Sequence, residues 1–210
     1  LTARQVQAKL RSFDMPKGYT YEMSGENETV KSAMTDLVKM IALACVFIYL
    51  IMVAQFQSLK SPFIIMFTIP LAFTGGFLAL LITGFDISVV SLVGFVMLCG
   101  IIVNNGIVLV DYINKLRIEG KERIESIVEA GKTRMRPILI TALTTVLGLV
   151  VMALGIGTGA EMMQPIAIVC IGGLIYATFM TLYIVPVIYD LFNKKELKKV
   201  SDKDLEFIDE

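Results

Sequence analysis

Two adjacent carboxamides, Asn104 and Asn105, lie inside the apolar run GIIVNNGIVLVDY at residues 100–112. A carboxamide in hydrocarbon is costly without a hydrogen-bonding partner, so both side chains are expected to face protein and not lipid. On a helix, Asn104, Val108 and Asp111 fall on one stripe because their spacing is four and three residues. Such a stripe predicts either hydrogen bonds that join helices or a pathway for protons or other ions. The simpler interpretation of Asp111 is an ion pair with Lys115, four residues later on the same helix face.

The helices that must position these residues are visible in the composition, of which 56% is apolar. A transmembrane helix needs about 20 predominantly apolar residues to cross the hydrocarbon layer. Five stretches meet that length, at residues 37–56, 61–83, 88–113, 137–157 and 164–192. The sequence therefore predicts an all-α polytopic membrane protein within the lipid bilayer. Pro70 and Pro186 fall inside two of these spans and predict kinks.

Among the loops and the tail that follow the first predicted span, basic residues lie on one side of the bundle. Lysine and arginine occur at Lys60, along residues 115–136 and in the tail at 194–203, while the loops at 84–86 and 158–163 contain neither. By the positive-inside rule, the basic side is cytoplasmic, the N-terminus is extracytoplasmic and the C-terminus is cytoplasmic. The formal net charge of zero hides this segregation and gives no support for a nucleic-acid partner.

The segments outside the spans suggest three further units. Residues 1–25 combine helical and then alternating apolar spacing, which predicts one helix and one strand at the end of an extracytoplasmic subdomain. The transmembrane domain is expected at 26–193, and an amphipathic pattern at 117–131 predicts a cytoplasmic interfacial helix, with a solvated connector as the alternative. The charged segment 194–210 is expected to form a cytoplasmic tail.

Features of enzymes and metalloproteins are missing from the sequence. There is no histidine, and the three cysteines, Cys45, Cys99 and Cys170, all lie in apolar spans without CxxC spacing. Nucleophile and phosphate-binding motifs are absent as well. We therefore expect neither a catalytic activity, nor a cofactor, nor a metal centre.

Five motifs occur in order: GYTYEMSG, QSLKSPFIIMFTIPLAFTGG, GIIVNNGIVLVDYINKLR, RMRPILITALTTVLG and YIVPVIYDLF. Together they resemble the C-terminal third of the resistance-nodulation-division (RND) efflux pumps, and the hydrophobe/amphiphile branch more than the heavy-metal branch. The resemblance covers nearly the whole chain. It implies a proton-driven exporter of drugs or amphiphiles in the bacterial inner membrane, with twelve spans in two six-helix halves, of which this chain would supply the last five.

The same resemblance implies partners. Family members assemble as homotrimers and work with a periplasmic adaptor protein and an outer-membrane channel. The missing N-terminal part of the pump would contribute the porter pockets that select the substrate, and an aspartate pair in the fourth span.

The resemblance also assigns a proton relay to Asn104, Asn105, Arg134 and Thr141, and the polar stripe on the same helix adds Asp111 as a further candidate. In the family, the aspartate pair faces polar residues of the tenth and eleventh spans, which here hold the two asparagines and Arg134 with Thr141. Many members carry a lysine where this sequence has Asn104. A neutral carboxamide donates hydrogen bonds to a carboxylate but cannot act as its counter-ion, so the coupling ion stays open.

Two other functions are compatible with the sequence. The first is a lipid or protein translocator that resembles the secretion proteins SecD and SecF, which would need different motifs in the tenth and eleventh spans. The second is a membrane anchor or assembly subunit that transports nothing and would tolerate apolar residues throughout the polar stripe.

Overall fold

The structure is a computed structural model that describes residues 26–157 and 159–193. The predictions for 1–25 and 194–210 lie outside the described residues. In chain order the elements are α1 (Glu26–Phe56), α2 (Lys60–Met66), α3 (Thr68–Thr83), α4 (Val89–Ile118), α5 (Arg123–Ala153), a short 3-10 helix (Ala160–Met163) and α6 (Gln164–Phe192). No strand occurs between residues 26 and 193 outside the single undescribed position.

Five helical stretches of the described chain are long and apolar enough to cross a membrane. Helices α2 and α3 together form one of them, and the 3-10 helix continues directly into α6 to complete another. These stretches coincide with the five predicted spans, which confirms the prediction of an all-α membrane fold. Several helices begin or end outside the predicted limits, because polar residues continue the helix beyond the apolar part. The fourth predicted span is wrong at its end, since its helix stops at Ala153 and not at residue 157, and Gly155 follows with a φ of +64°.

The second span is broken where the sequence predicts a kink. Helix α2 ends at Met66 and α3 begins at Thr68, two residues before Pro70. Proline lacks the N–H that would bond to the carbonyl four residues earlier, and its ring crowds that turn. The Thr68 hydroxyl donates to the Ile65 carbonyl at 2.7 Å and so satisfies a buried acceptor at the break. Pro186, by contrast, lies within α6 without interrupting the helix.

The segment between the third and fourth spans differs from the predicted separate helix at 117–131. Its first residues complete α4, a turn follows in which Gly120 has a φ of +98°, and the remainder belongs to α5. Helix α5 then continues without interruption past Pro137 to Ala153. Pro137 lies at the junction of the polar first turns and the apolar span without breaking the helix, so the two parts form one helix. Whether the first turns lie on a membrane surface stays a prediction.

Helix α6 is at the centre of the bundle and contacts α3, α4 and α5. Glycines allow the closest approach, since a Cβ atom added to Gly75 on α3 would lie 2.8 Å from the Gly172 carbonyl on α6. A buried apolar cluster that includes Phe95, Leu98 and Leu174 fills the space beside this contact. Helices α1 and α5, in contrast, leave most of their apolar surface exposed.

Candidate functional site

Three of the five predicted relay residues line a single cavity. It is an open groove of about 350 Å³ between α4, α5 and α6. Its lining consists of Gly100, Ile101, Asn104, Asn105, Thr141, Ala142, Thr145 and Leu174. We call it the polar groove. The structure therefore brings Asn104, Asn105 and Thr141 together, while their part in a proton relay stays a prediction.

Helix α4 turns its carboxamides to the groove because its opposite face is buried. Ile102 and Leu109 are each 1% exposed and belong to the core of the bundle. Asn104 is exposed and Asn105 is half-buried. One turn before Asn104, a Cβ atom added to Gly100 would meet no atom within 4 Å, so the groove is open above the carboxamides.

Helix α5 contributes two hydroxyl groups whose protons are already engaged. The Thr141 hydroxyl donates within its own helix, to the carbonyl of Pro137 at 3.1 Å or of Ile138 at 3.0 Å. The Thr145 hydroxyl donates to the Thr141 carbonyl at 2.8 Å. Both oxygens keep lone pairs that can accept hydrogen bonds in the groove. Sequence reasoning missed Thr145, although its spacing of four residues from Thr141 places it on the same helix face.

The lining of the polar groove is neutral. Within the described chain, neither Asn104 nor Asn105 forms a hydrogen bond through its carboxamide. Each carboxamide has two N–H donors and one carbonyl acceptor, and the two threonines add acceptors. The groove can therefore bind a polar or charged group by hydrogen bonds. It cannot itself take up or release a proton near neutral pH, because no lining side chain titrates there.

Arg134 lies on the groove side of α5 but outside the lining. It precedes Thr141 by seven residues, which corresponds to about 10 Å along a helix. The carbon atom of its guanidinium group is 4.5 Å from the centroid of the Tyr112 ring. Its Nε atom is buried and has no hydrogen-bond partner among the described residues. The guanidinium group thus packs against an aromatic ring, and its Nε–H remains able to donate a hydrogen bond.

Asp111 does not reach the groove either. Its side chain is exposed and is absent from the lining. Within residues 26–157 and 159–193, it forms no ion pair with Lys115, the simpler partner that its position suggested. Seven residues separate it from Asn104, so it lies about 10 Å farther along α4, beyond the carboxamides. A role for Asp111 in proton transfer stays a prediction.

A second polar cluster, which sequence reasoning missed, joins α2, α4 and α6 near the basic ends of the helices. Tyr189 is fully buried, and its hydroxyl donates to Asn114 Oδ1 at 2.5 Å. Arg117 Nη1 donates to the same hydroxyl at 3.2 Å, and Asn114 Nδ2 donates to Ser61 Oγ at 3.4 Å. We call these four residues the Tyr189 cluster. Its role in the structure is to fix three spans relative to one another.

Two ion pairs hold the turn between α4 and α5. Arg123 Nε lies 2.7 Å from Asp190 Oδ1 on α6, at an angle too poor for a hydrogen bond. Lys121 Nζ donates to both carboxylate oxygens of Glu129, at 2.7 and 2.5 Å. The hydrogen bonds that it donates to Glu129 raise the pKa of the exposed Lys121 ammonium above its ordinary value of 10.5. This pair therefore persists through neutral pH and is lost only as the pH rises beyond that value.

Comparison with known proteins identifies relatives along nearly the entire chain. The sequence profile of the AcrB/AcrD/AcrF family matches residues 2–193. The cobalt-zinc-cadmium resistance protein CzcA of Cupriavidus metallidurans is 41% identical over 194 residues, which make up 91% of this chain and 18% of that protein. The swarming motility protein SwrC of Bacillus subtilis is 35% identical over 195 residues, or 92% of this chain and 18% of SwrC.

A solved structure has the same arrangement of helices. The crystal structure of a heavy metal efflux pump superposes with a TM-score of 0.75 at 31% sequence identity, covering 93% of this chain and 20% of that one. This chain thus spans about a fifth of the length of these relatives. CzcA and the heavy metal efflux pump of known structure are both named for metals. They therefore support membership of the efflux family but not the predicted hydrophobe/amphiphile branch.

Proposed function

This chain belongs to the AcrB/AcrD/AcrF family of RND transporters, and on that premise we propose that it forms the C-terminal membrane part of a proton-driven efflux pump. The whole pump would contain twelve spans and assemble as a homotrimer in the bacterial inner membrane. Its periplasmic adaptor and outer-membrane channel would be the partners that the family resemblance implies. The N-terminus of this chain would be extracytoplasmic and its C-terminus cytoplasmic.

The polar groove is the observation on which the proposal depends. It places Asn104, Asn105 and Thr141 around one open volume beside an apolar core cluster of the bundle. In the proposed pump, a pair of carboxylates from the preceding half enters this groove and accepts hydrogen bonds from the carboxamides. Desolvation raises the pKa of such carboxylates, and hydrogen-bond donors lower it. A movement that alters the contact therefore changes their affinity for protons.

Arg134 supplies the positive charge that Asn104 lacks. A neutral carboxamide stabilises an ionised carboxylate by hydrogen bonding alone, whereas a guanidinium group adds its charge and several donors. Arg134 lies on the same face of α5 as Thr141, two helical turns away, and its buried Nε has no partner in the described chain. We therefore assign it the part of counter-ion at one end of the relay.

For the substrate, divalent metal cations are our first candidate. The name of CzcA specifies cobalt, zinc and cadmium, and the structural relative is called a heavy metal efflux pump. Drugs or amphiphiles, which the sequence motifs favour, are the second candidate. In either case we expect the selecting pockets to lie in porter domains outside this chain, because the polar groove serves ion coupling.

The test is a transport assay on the full-length protein reconstituted in liposomes with an imposed proton gradient. A pH-sensitive dye reports proton flux after addition of zinc, cadmium or an amphiphilic dye. We expect one substrate class to induce proton flux in the opposite direction to its own movement, and empty liposomes to show none. Substrate movement that ignores the proton gradient would contradict the coupling, and no movement of any substrate would favour a translocator or an assembly subunit.

A further inference from the structure

We propose that Tyr112 is a positioning residue for Arg134. Its aromatic ring holds the guanidinium group at the basic end of the polar groove, where the unpaired N–H groups can donate to an acceptor that enters the groove. The inference rests on the proposed function, because that function gives Arg134 its part in the relay.

The contact between the two side chains has the geometry of a cation–π interaction. The guanidinium carbon lies 4.5 Å from the ring centroid, well within the distance of about 6 Å at which the ring face attracts a cation. Within the described residues, the Arg134 side chain forms neither a hydrogen bond nor an ion pair, so the ring is the group that interacts with its charge. The ring therefore determines where the charge is held.

The register of the two helices places this contact beside the groove. Tyr112 follows Asn105 by seven residues on α4, and Arg134 precedes Thr141 by seven residues on α5. The two helices run in opposite directions, so both displacements point to the same end of the bundle, about two turns from the groove.

The ring of Tyr112, and not its hydroxyl, carries the contact. No hydrogen bond of the Tyr112 hydroxyl occurs among the described residues, whereas the hydroxyl of Tyr189 takes part in two. Phenylalanine should therefore replace Tyr112 without loss, because its ring also presents an electron-rich face. Leucine keeps an apolar side chain but has no such face.

The first experiment measures how well the ring covers the guanidinium group. The full-length protein is treated with phenylglyoxal, and the modification rate at Arg134 is followed by peptide mass spectrometry, with Arg136 as the exposed internal reference. If only unstacked guanidinium reacts, the strength of such contacts predicts a rise of about 3- to 30-fold for Tyr112→Leu. Tyr112→Phe should remain within about twofold of the wild type on the same basis.

A matched control distinguishes loss of the contact between the ring and the Arg134 guanidinium group from a general loosening of helix packing. Tyr183 on α6 is 73% exposed, so Tyr183→Leu should leave the modification rate of Arg134 unchanged. Equal rates at Arg134 in the wild type and in Tyr112→Leu would overturn the inference. Equal acceleration by Tyr112→Leu and Tyr183→Leu would overturn it as well, because the effect would then not depend on the ring over the guanidinium.

The second experiment varies the ring electronically while its shape changes little. Phenylalanines with one, two, three and five fluorine atoms are introduced at position 112, and both Arg134 modification and substrate-dependent proton flux are measured. We expect the modification rate to rise, and the flux to fall, step by step with the fluorine count, since fluorine weakens the negative ring face. Rates independent of the fluorine count would overturn the positioning role. A graded modification rate with unchanged flux would leave positioning intact and refute the proposed relay role of Arg134.

Discussion

Replacing Gly75 by alanine tests whether the contact between α3 and α6 depends on the absence of a side chain. The added Cβ would lie 2.5 Å from Tyr176 Cβ, 2.8 Å from the Gly172 carbonyl oxygen and 3.1 Å from Gly173 Cα. Ordinary contacts of a Cβ atom begin at 3.4 Å, so the two helices must separate by roughly 0.9 Å. Two of the three obstructing atoms belong to the backbone and cannot turn away.

The expected cost follows from overpacking. Added methyl groups in a close-packed interior destabilise a protein by about 1–3 kcal/mol. Alanine also has a better helix propensity than glycine, by about 0.8–1.0 kcal/mol in water. Gly148→Ala isolates this second effect, because its Cβ would meet no atom within 4 Å. The two variants should therefore differ in unfolding free energy by about 1–3 kcal/mol, with Gly75→Ala the less stable.

The assay is unfolding of the full-length protein by sodium dodecyl sulfate in mixed micelles, followed by loss of helical circular dichroism. Both variants are compared with the wild type under the same conditions. Gly75→Ala should unfold at a lower detergent fraction than Gly148→Ala. Coincident transitions for the two variants would refute the conclusion that α3 and α6 are in backbone contact at this position.

Three further results are expected. Tyr189→Phe removes a hydroxyl that takes part in two hydrogen bonds, so it should lower the unfolding free energy by about 1–3 kcal/mol in the same assay. Tyr183→Phe, at an exposed position, should leave the unfolding free energy unchanged. Equal effects of the two substitutions would contradict the hydrogen bonds of the Tyr189 cluster. In a background without native cysteines, a single cysteine at Asp86 should be labelled by an impermeant reagent added outside the cell. A single cysteine at Glu122 should be labelled only from the cytoplasmic side, and the reverse pattern would overturn the predicted membrane orientation. Thr141→Ala should reduce proton-coupled flux less than loss of either carboxamide, because water can replace a hydroxyl acceptor; a larger loss would contradict this role.

The spans and the face of α4 that bears the asparagines could be predicted from the sequence alone. Hydropathy over about 20 residues identifies a span whatever its neighbours are, because the bilayer sets the length. The helical period likewise places Asn104 on the side opposite Ile102 and Leu109, which the structure buries. Convergence with Thr141 required the family resemblance, since helical periodicity does not state which helices are adjacent.

Other features depended on tertiary contacts and could not be predicted. Pro70 coincides with a broken helix, whereas Pro186 and Pro137 lie in continuous ones, so proline alone does not distinguish a break from a tolerated site. The Tyr189 cluster joins residues more than 70 positions apart in sequence, and the stacking of Arg134 on Tyr112 also bridges two helices. No local pattern in the sequence encodes such pairs.

The central claim is that the carboxamides of the polar groove take part in proton coupling. Asn104→Leu and Asn105→Leu keep similar side-chain volumes but remove every donor and acceptor. A partner carboxylate left unsatisfied loses about 1–3 kcal/mol, and each 1.36 kcal/mol corresponds to about one pKa unit. Ile101→Leu is the matched control, because Ile101 lines the same groove without a polar atom.

The decisive measurement is substrate-dependent proton flux in liposomes that contain equal amounts of each full-length variant, over a range of imposed proton gradients. We predict that Asn104→Leu and Asn105→Leu lose most of the flux while the proposed trimer remains intact, and that Ile101→Leu transports like the wild type. Flux at the wild-type rate in both asparagine variants, at every gradient, would mean that the carboxamides only join helices and would contradict the account.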